Sequence, residues 1–147
     1  MSVDESVTKD LLETLEDGKE GFAKAAEKVA DDDPAVAGKL REFSAQRDRF
    51  ATELRALAKS YGDEVDESGS VAGTLHRGWM ALKDALSGSD ASGVLDAAEQ
   101  GEDHAVKAYK KALEQELSEQ LRVVVSRQAA EVKAAHDVVK TLRDARK

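Results

Sequence analysis

The chain of 147 residues contains no cysteine, one proline, one tryptophan, two tyrosines and three phenylalanines. The absence of cysteine excludes disulfide frameworks, thiolate zinc sites, cysteine nucleophiles and iron–sulfur clusters. The scarcity of proline and aromatic residues, with only ten glycines, disfavours sandwiches and barrels, which need frequent turns and Val/Ile/Phe-rich strands. We therefore expect an all-α fold, in which metal or acid–base chemistry must use Asp, Glu and three histidines: His76, His104 and His136.

Long apolar runs and a basic excess are also missing. No window approaches the roughly 18 apolar residues that a membrane span needs, and 22 Lys and Arg stand against 30 Asp and Glu, a net charge of −8. Nucleic-acid binding is disfavoured because counterion release needs clustered positive charge. The acidic, polar N-terminus shows no secretory signal. We expect one cytoplasmic domain spanning residues 1–147, with no nucleic-acid or membrane partner.

What the chain does contain is apolar residues at alternating steps of four and three, the spacing of a helix with one buried face. This pattern predicts long helices at about 7–30, 34–61, 90–116 and 118–145, and a shorter helix at about 71–87. Asp33 and Pro34 mark one boundary as a cap and a first helical residue. We place a break near Ser118 because an uninterrupted helix there would be about 80 Å long.

Polar residues interrupt these buried rows at about mid-height. The second long helix has Arg47 within its row and the third has Glu102. The last row is predicted as Leu121, Val124, Gln128, Glu131, Ala135, Val138 and Leu142, with Val125, Val132 and Val139 on the adjacent row.

Four long helices with one apolar stripe each bury those stripes together as a bundle. Short joins at 31–35 and 117–118 predict two antiparallel pairs. The connection from Gly62 to Ser89 is long enough to return along the bundle, which would make the second and third long helices parallel. That is the order of a ferritin-like four-helix bundle with a helical crossover. In a plain up-down bundle, the alternative, the 71–86 helix would be an appendage.

Several motifs carry a family resemblance over nearly the whole chain. They are the run SGSVAGTLHRGWM from Ser68 to Met80, Asp17-Gly18 with Gly21-Phe22, Glu99 with Gly101-Glu102-Asp103, Tyr109, and Arg127-Gln128 with His136-Asp137. The chain resembles bacterial ferritin-like four-helix-bundle proteins grouped as a domain of unknown function. The resemblance implies a ferritin-like bundle from a bacterium, with no established activity, and a stress association only by extension from related families.

The sequence does not favour a di-metal site. Ferritin-like oxidases use two Glu-x-x-His pairs, which this chain lacks, and the fixed positive charge of Arg47 would repel a metal ion. We predict instead an Arg47–Glu102 ion pair between neighbouring helices at the level of Gly18, whose missing side chain leaves room for the guanidinium. Gln128 and Glu131 would take the remaining hydrogen bonds of this core polar layer, and we expect no cofactor.

An alternative remains open, a ferritin-like metalloprotein that binds or oxidises iron or manganese. Its ligands would be Glu99, Glu102, Glu131 and His136, because pairing of the last two helices brings Glu99 to the height of His136. The simpler interpretation, which we favour, is a half-buried His136 with Asp137 or Glu99 as its partner.

We therefore predict that the protein is a non-enzymatic structural or stress-associated bundle. It would act by binding, either as a homodimer or by docking a protein partner. The candidate interface is the crossover helix with His76, Trp79 and Met80. We expect His104 to be solvated.

Overall fold

The computed structural model describes residues 2–60 and 90–146. It contains four helices, α1 (Val3–Val29), α2 (Pro34–Ser60), α3 (Ala91–Leu113) and α4 (Glu119–Asp144), and no strand within those two ranges. The protein is therefore an all-α four-helix bundle, as the sequence pattern predicts. The predicted crossover helix at 71–87 lies outside the described residues, as does residue 61, the predicted end of the second long helix.

The helix boundaries follow from capping. The α1 helix begins at Val3 rather than near residue 7, because the Ser2 hydroxyl accepts a hydrogen bond from the Glu5 amide at 3.1 Å and caps an earlier turn. The predicted cap at Asp33 is present, with Oδ1 accepting from the Val36 amide at 3.2 Å. The predicted break near Ser118 is also present, since its hydroxyl accepts from the Leu121 amide at 3.3 Å.

Contacts at the two ends of the bundle fix the helix directions. At one end, the Ala91 amide donates to Asp32 and the Arg146 guanidinium to Asp33, so α3 begins and α4 ends where α1 ends. At the other end, the Ser118 amide donates to Asp4. The α2 and α3 helices are thus parallel to each other and antiparallel to α1 and α4, as expected for a single long connection between α2 and α3.

Two pairs of helices lie diagonally opposite each other in the bundle. Both α2 and α3 pack against α1 and against α4, so α2 lies diagonally opposite α3, and α1 opposite α4.

The core is divided into two apolar clusters along the bundle axis. One is centred on Phe22, Leu40 and Leu95, towards the α1–α2 turn. The other contains Leu15 and Leu54, towards the α3–α4 turn. Buried polar side chains interrupt the apolar packing between and beside these clusters. Among the described helices, none combines the length and apolar character that crossing a membrane would need.

Candidate functional site

The centre of the bundle holds a closed ion pair. Arg47 on α2 donates from its two terminal nitrogens to the two carboxylate oxygens of Glu102 on α3, at 2.6 and 2.7 Å. Each side chain is only 1% exposed. This two-bond geometry matches the planar guanidinium to the planar carboxylate, and it is the strongest form of such a contact. The predicted pair is present.

The first two helices shape the space around the guanidinium. A Cβ placed on Gly18 would lie 3.4 Å from a terminal nitrogen of Arg47, so glycine lets the α1 backbone lie directly against the ion pair. The Phe22 ring lies 5.2 Å from the guanidinium carbon, within the range of a cation–π contact. The Arg47 Nε donates to Gln46 at 3.1 Å. All three guanidinium nitrogens of Arg47 thus donate hydrogen bonds, and both oxygens of Glu102 accept them.

The position of the pair differs from the prediction in one respect. We expected Arg47 and Glu102 on neighbouring helices, whereas α2 and α3 lie diagonally across the bundle. The pair therefore crosses the bundle axis instead of following one helix–helix seam. The physical reason is the length of the arginine side chain, which passes beside the α1 backbone at Gly18.

A second buried polar group is centred on Gln128 of α4. Its Oε1 accepts from the Tyr109 hydroxyl at 2.7 Å, and its Nε2 donates to the Phe50 carbonyl at 3.3 Å and to Glu53 at 2.8 Å. Glu53 also pairs with Arg127 at the surface. These contacts join Gln128 to Tyr109, Phe50 and Glu53. Gln128 is buried, as predicted for the core polar layer, but these hydrogen bonds go to other partners than Arg47 and Glu102.

These surroundings shift the pKa values of two groups, Tyr109 and Glu53. Burial raises the pKa of Tyr109 above its ordinary value, which keeps the phenol protonated as the donor to Gln128. The hydrogen bond from Arg127 is the main cause that lowers the pKa of Glu53. Glu53 is therefore an acceptor for Gln128 over the neutral range.

The assignment of Glu131 to the core is also wrong. Its side chain is 48% exposed and lies 3.6 Å from Arg127 on the helix surface. The buried row of α4 is Leu121, Val125, Gln128, Val132, Ala135 and Val139. The two candidate rows are adjacent on the helix, and rotation towards Val132 buries an apolar side chain where the other rotation would bury a carboxylate.

The histidine predicted as a possible ligand lies in a half-buried cluster between α3 and α4. Glu99, Asp103 and His136 each offer one ligand atom, and these atoms lie within 4.8 Å of one another. His136 Nε2 is 2.6 Å from Asp103, and Nδ1 is 3.2 Å from Asp137. The structure therefore brings Glu99 and His136 together, as predicted, and pairs His136 with Asp137.

Two of the four alternative ligands are separated from this cluster. Glu102 is held by Arg47 inside the bundle, and Glu131 lies with Arg127 on the surface. Asp103 was not predicted as a candidate. The spacing of four residues between Glu99 and Asp103 could have identified it, because this spacing places both carboxylates on one side of α3.

Basic side chains border the same cluster. Arg143 pairs with Glu99, and it also contacts Asp96 at 3.2 Å and Asp144 at 3.0 Å. Lys133 donates to Asp137 at 2.7 Å, and this bond, followed by the one with His136, lowers the pKa of Asp137. The cluster thus contains carboxylates that are already partly neutralised.

One further carboxyl group is buried on α1. Asp17 is 9% exposed, and burial raises its pKa to about 7, with a smaller contribution from Glu20. Its protonation therefore changes near neutral pH. In the sequence, Asp17 is recognisable only as part of a family motif.

A surface groove of about 680 Å³ lies between α1 and α3, where Leu11 forms part of its floor and Asp10 and Lys107 lie on its sides. His104 is exposed at this groove, as predicted. The proposed interface residues His76, Trp79 and Met80 lie outside the described residues.

Comparison with known proteins gives the family. Residues 5–115 match the domain of unknown function DUF2383, a match that includes Arg47, Glu102 and Tyr109. No curated protein matches the chain significantly. Because the match spans α1, α2 and α3, well over half of the chain, the protein belongs to the DUF2383 family.

Proposed function

We propose that the protein is a non-enzymatic helical bundle that acts by binding, and that its Arg47–Glu102 ion pair takes the place of a di-iron site. The pair supports this proposal because it occupies the centre of the core. Both partners are 1% exposed and hydrogen-bonded to each other through two contacts.

The ion pair disfavours metal chemistry for two reasons. A guanidinium stays positively charged at any pH a protein survives, so it repels a divalent ion placed beside it. Both oxygens of Glu102 already accept hydrogen bonds from Arg47. A metal would have to break these bonds and leave the arginine buried without its carboxylate, which costs several kcal/mol, on the order of 3–5.

We also propose a ferritin-like origin for the bundle. The directions of the four helices, with α2 parallel to α3, agree with the single-crossover order of ferritin-like folds. The contacts of Ala91 with Asp32 and of Ser118 with Asp4 support this order. The proposal places the ion pair in a fold that elsewhere holds metals between its helices.

Metal analysis and iron oxidation test the proposal together. The protein is purified without chelators, its metal content is measured, and Fe(II) is added in air while a visible absorbance band is sought. The same measurements on His136→Gln distinguish a core metal from one at the surface. We expect no band from either protein. Stoichiometric iron with a growing band in the wild-type protein would overturn the proposal. Iron retained by His136→Gln would then lie in the core, and iron lost in that variant would lie at the alternative site with His136.

The binding function would involve a second copy of the chain. The candidate surface is the segment with His76, Trp79 and Met80, and Trp79 is the only tryptophan in the sequence. Fluorescence therefore reports on that one position. In light scattering combined with dilution, we expect a dimer whose tryptophan emission shifts to longer wavelength as it dissociates. A monomer at all concentrations would contradict self-association.

The alternative function is iron or manganese binding or oxidation through Glu99, Glu102, Glu131 and His136. The proximity of Glu99 to His136 supports it, but the contacts of Glu102 and Glu131 lie elsewhere. The iron experiment above distinguishes it from the first proposal, because oxidation is expected only for the alternative.

A further inference from the structure

We infer that Glu99, Asp103 and His136 form a binding site for a single divalent ion of the Zn²⁺ type, which links α3 to α4. This site is separate from the buried ion pair, and it needs no oxidation chemistry. It therefore extends the proposed function without depending on it.

The donor atoms have the right chemistry and nearly the right spacing. One imidazole nitrogen and two carboxylate oxygens are common ligands of borderline divalent ions, which bind them at about 2.0–2.2 Å. Two ligands of one tetrahedral ion are then roughly 3.4 Å apart. The three donor atoms lie within 4.8 Å of one another, and His136 Nε2 lies 2.6 Å from the Asp103 carboxylate. Small side-chain rotations would bring the donor atoms to the spacing of a tetrahedral site.

The histidine is held in an orientation suited to a ligand. Nδ1 of His136 faces the carboxylate of Asp137 at 3.2 Å, and Nε2 faces the cluster. A carboxylate on the second ring nitrogen is the usual partner of a metal-bound histidine, because it fixes the ring and increases its basicity. The side chains of His136 and Glu99 are 14% and 15% exposed, while that of Asp103 is 52% exposed. An ion can therefore enter from the Asp103 side and be partly shielded on the other.

Arg143 is the competitor for Glu99, but its situation differs from that of Arg47. Arg143 already contacts Asp96 at 3.2 Å and Asp144 at 3.0 Å. It therefore keeps two carboxylate partners when Glu99 turns towards the ion. Arg47 is buried, with Glu102 as its carboxylate partner in the core. Glu99 can therefore exchange from Arg143 to the ion without leaving the guanidinium unpaired.

Zinc titration of the full chain tests the site. The protein is stripped with a chelator, dialysed and titrated with Zn²⁺ by calorimetry, and its melting temperature is measured with and without Zn²⁺. We expect one ion per chain and a higher melting temperature, since the ion binds only the folded arrangement. Mg²⁺ should have no such effect, because it prefers oxygen ligands and retains its water.

Variants assign the binding to these residues. His136→Gln and Asp103→Asn should each weaken Zn²⁺ binding by at least about tenfold, the lower range for losses at metal sites. Arg143→Gln should tighten it, since the competitor is gone. His104→Gln is the matched control, because it removes an exposed imidazole from the same helix without touching the cluster.

Three outcomes would overturn the inference. They are an absence of saturable Zn²⁺ binding, unchanged affinity in both His136→Gln and Asp103→Asn, or an equal loss in His104→Gln. Circular dichroism of each variant verifies that the helices are intact, so that a loss of binding is not a loss of fold.

Discussion

At the residue scale, the Arg47–Glu102 pair raises the question of what a buried ion pair contributes. Removing two charges from water is expensive, and replacing a whole buried pair by apolar residues is often neutral or stabilising. Removing one partner is different, because the other charge is left in the core. The pair is therefore a device that specifies which helices meet and at which level, more than a source of net stability.

This view predicts opposite behaviour of single and double variants. Arg47→Met should destabilise the protein by about 3–5 kcal/mol, because Glu102 remains buried without its cation. Combining it with Glu102→Leu should recover most of that loss. Urea unfolding of both proteins, followed by circular dichroism, measures the difference. A double variant as unstable as the single one would contradict this interpretation.

Gly18 gives a second prediction at this scale. An added Cβ would meet Arg47 at 3.4 Å, an ordinary contact distance. Gly18→Ala should therefore fit, and it should stabilise the protein by up to about 1 kcal/mol, because alanine favours a helix over glycine. Gly18→Leu should destabilise it, since its larger side chain enters the guanidinium space. Thermal unfolding of the two variants measures this, and equal effects of Ala and Leu would contradict it.

At the scale of a helix, sequence periodicity placed Arg47 and Glu102 correctly within the buried rows of α2 and α3, and it misassigned part of the α4 row. The α3 row, including Glu102 and Tyr109, is buried as predicted. In α4 the row passes through Val125 and Val132 instead of Val124 and Glu131. Steps of three and four from Gln128 are both compatible with a helix of 3.6 residues per turn. The choice between them depends on what the neighbouring helices cover.

The start of α4 provides a prediction for an element. The Ser118 hydroxyl caps the helix through the Leu121 amide, and the Ser118 amide donates to Asp4. Ser118→Ala should cost about 1 kcal/mol of unfolding free energy, because a helix amide loses its acceptor. Ser118→Asn, which supplies another capping oxygen, should retain most of the stability. Chemical denaturation of both variants compares them, and an equal loss would contradict the assignment of that loss to the capping oxygen.

At the scale of the whole molecule, carboxyl groups with shifted pKa values set the dependence of stability on pH. Burial raises the pKa of Asp17 to about 7, so the folded state binds a proton more tightly than the unfolded state. Hydrogen bonds lower the pKa of Asp33, chiefly the one from Arg146, and that of Glu53, chiefly the one from Arg127. These groups act in opposite directions.

The direction of each pKa shift predicts how the free energy of unfolding depends on pH. The Asp17 contribution is complete below the unfolded pKa near 4 and is lost as the pH rises towards 7, with a slope of up to about 1.4 kcal/mol per pH unit. The Asp33 and Glu53 contributions are present above pH 4 and are lost as the pH falls below it. We expect a stability maximum near pH 4–5.

Unfolding free energies measured between pH 3 and pH 8 test this profile. Asp17→Asn should flatten the decline between pH 4 and pH 7, because the group that gains the proton is gone. Glu20→Gln is the control on the neighbouring acidic position and should preserve most of the decline. A wild-type protein whose stability rises steadily to pH 7 would contradict the assignment of the decline to Asp17.

The amino-acid sequence is sufficient to predict the helical class, the approximate extent of the four described helices, the cap at Asp33 and the break near Ser118. It also determined that an inward arginine must meet a carboxylate. These properties depend on local spacing and on the high cost of an unpaired buried charge, both of which are readable along one chain.

Only the packed bundle shows that the ion pair crosses it diagonally, that Gln128 contacts Tyr109, and that Glu131 faces water. It also brought Asp103 to His136. Each of these depends on how far a helix is rotated about its axis and which helix lies opposite. Rotation and neighbours are set by packing all four helices at once, because a turn of one helix changes which side chains every other helix must cover.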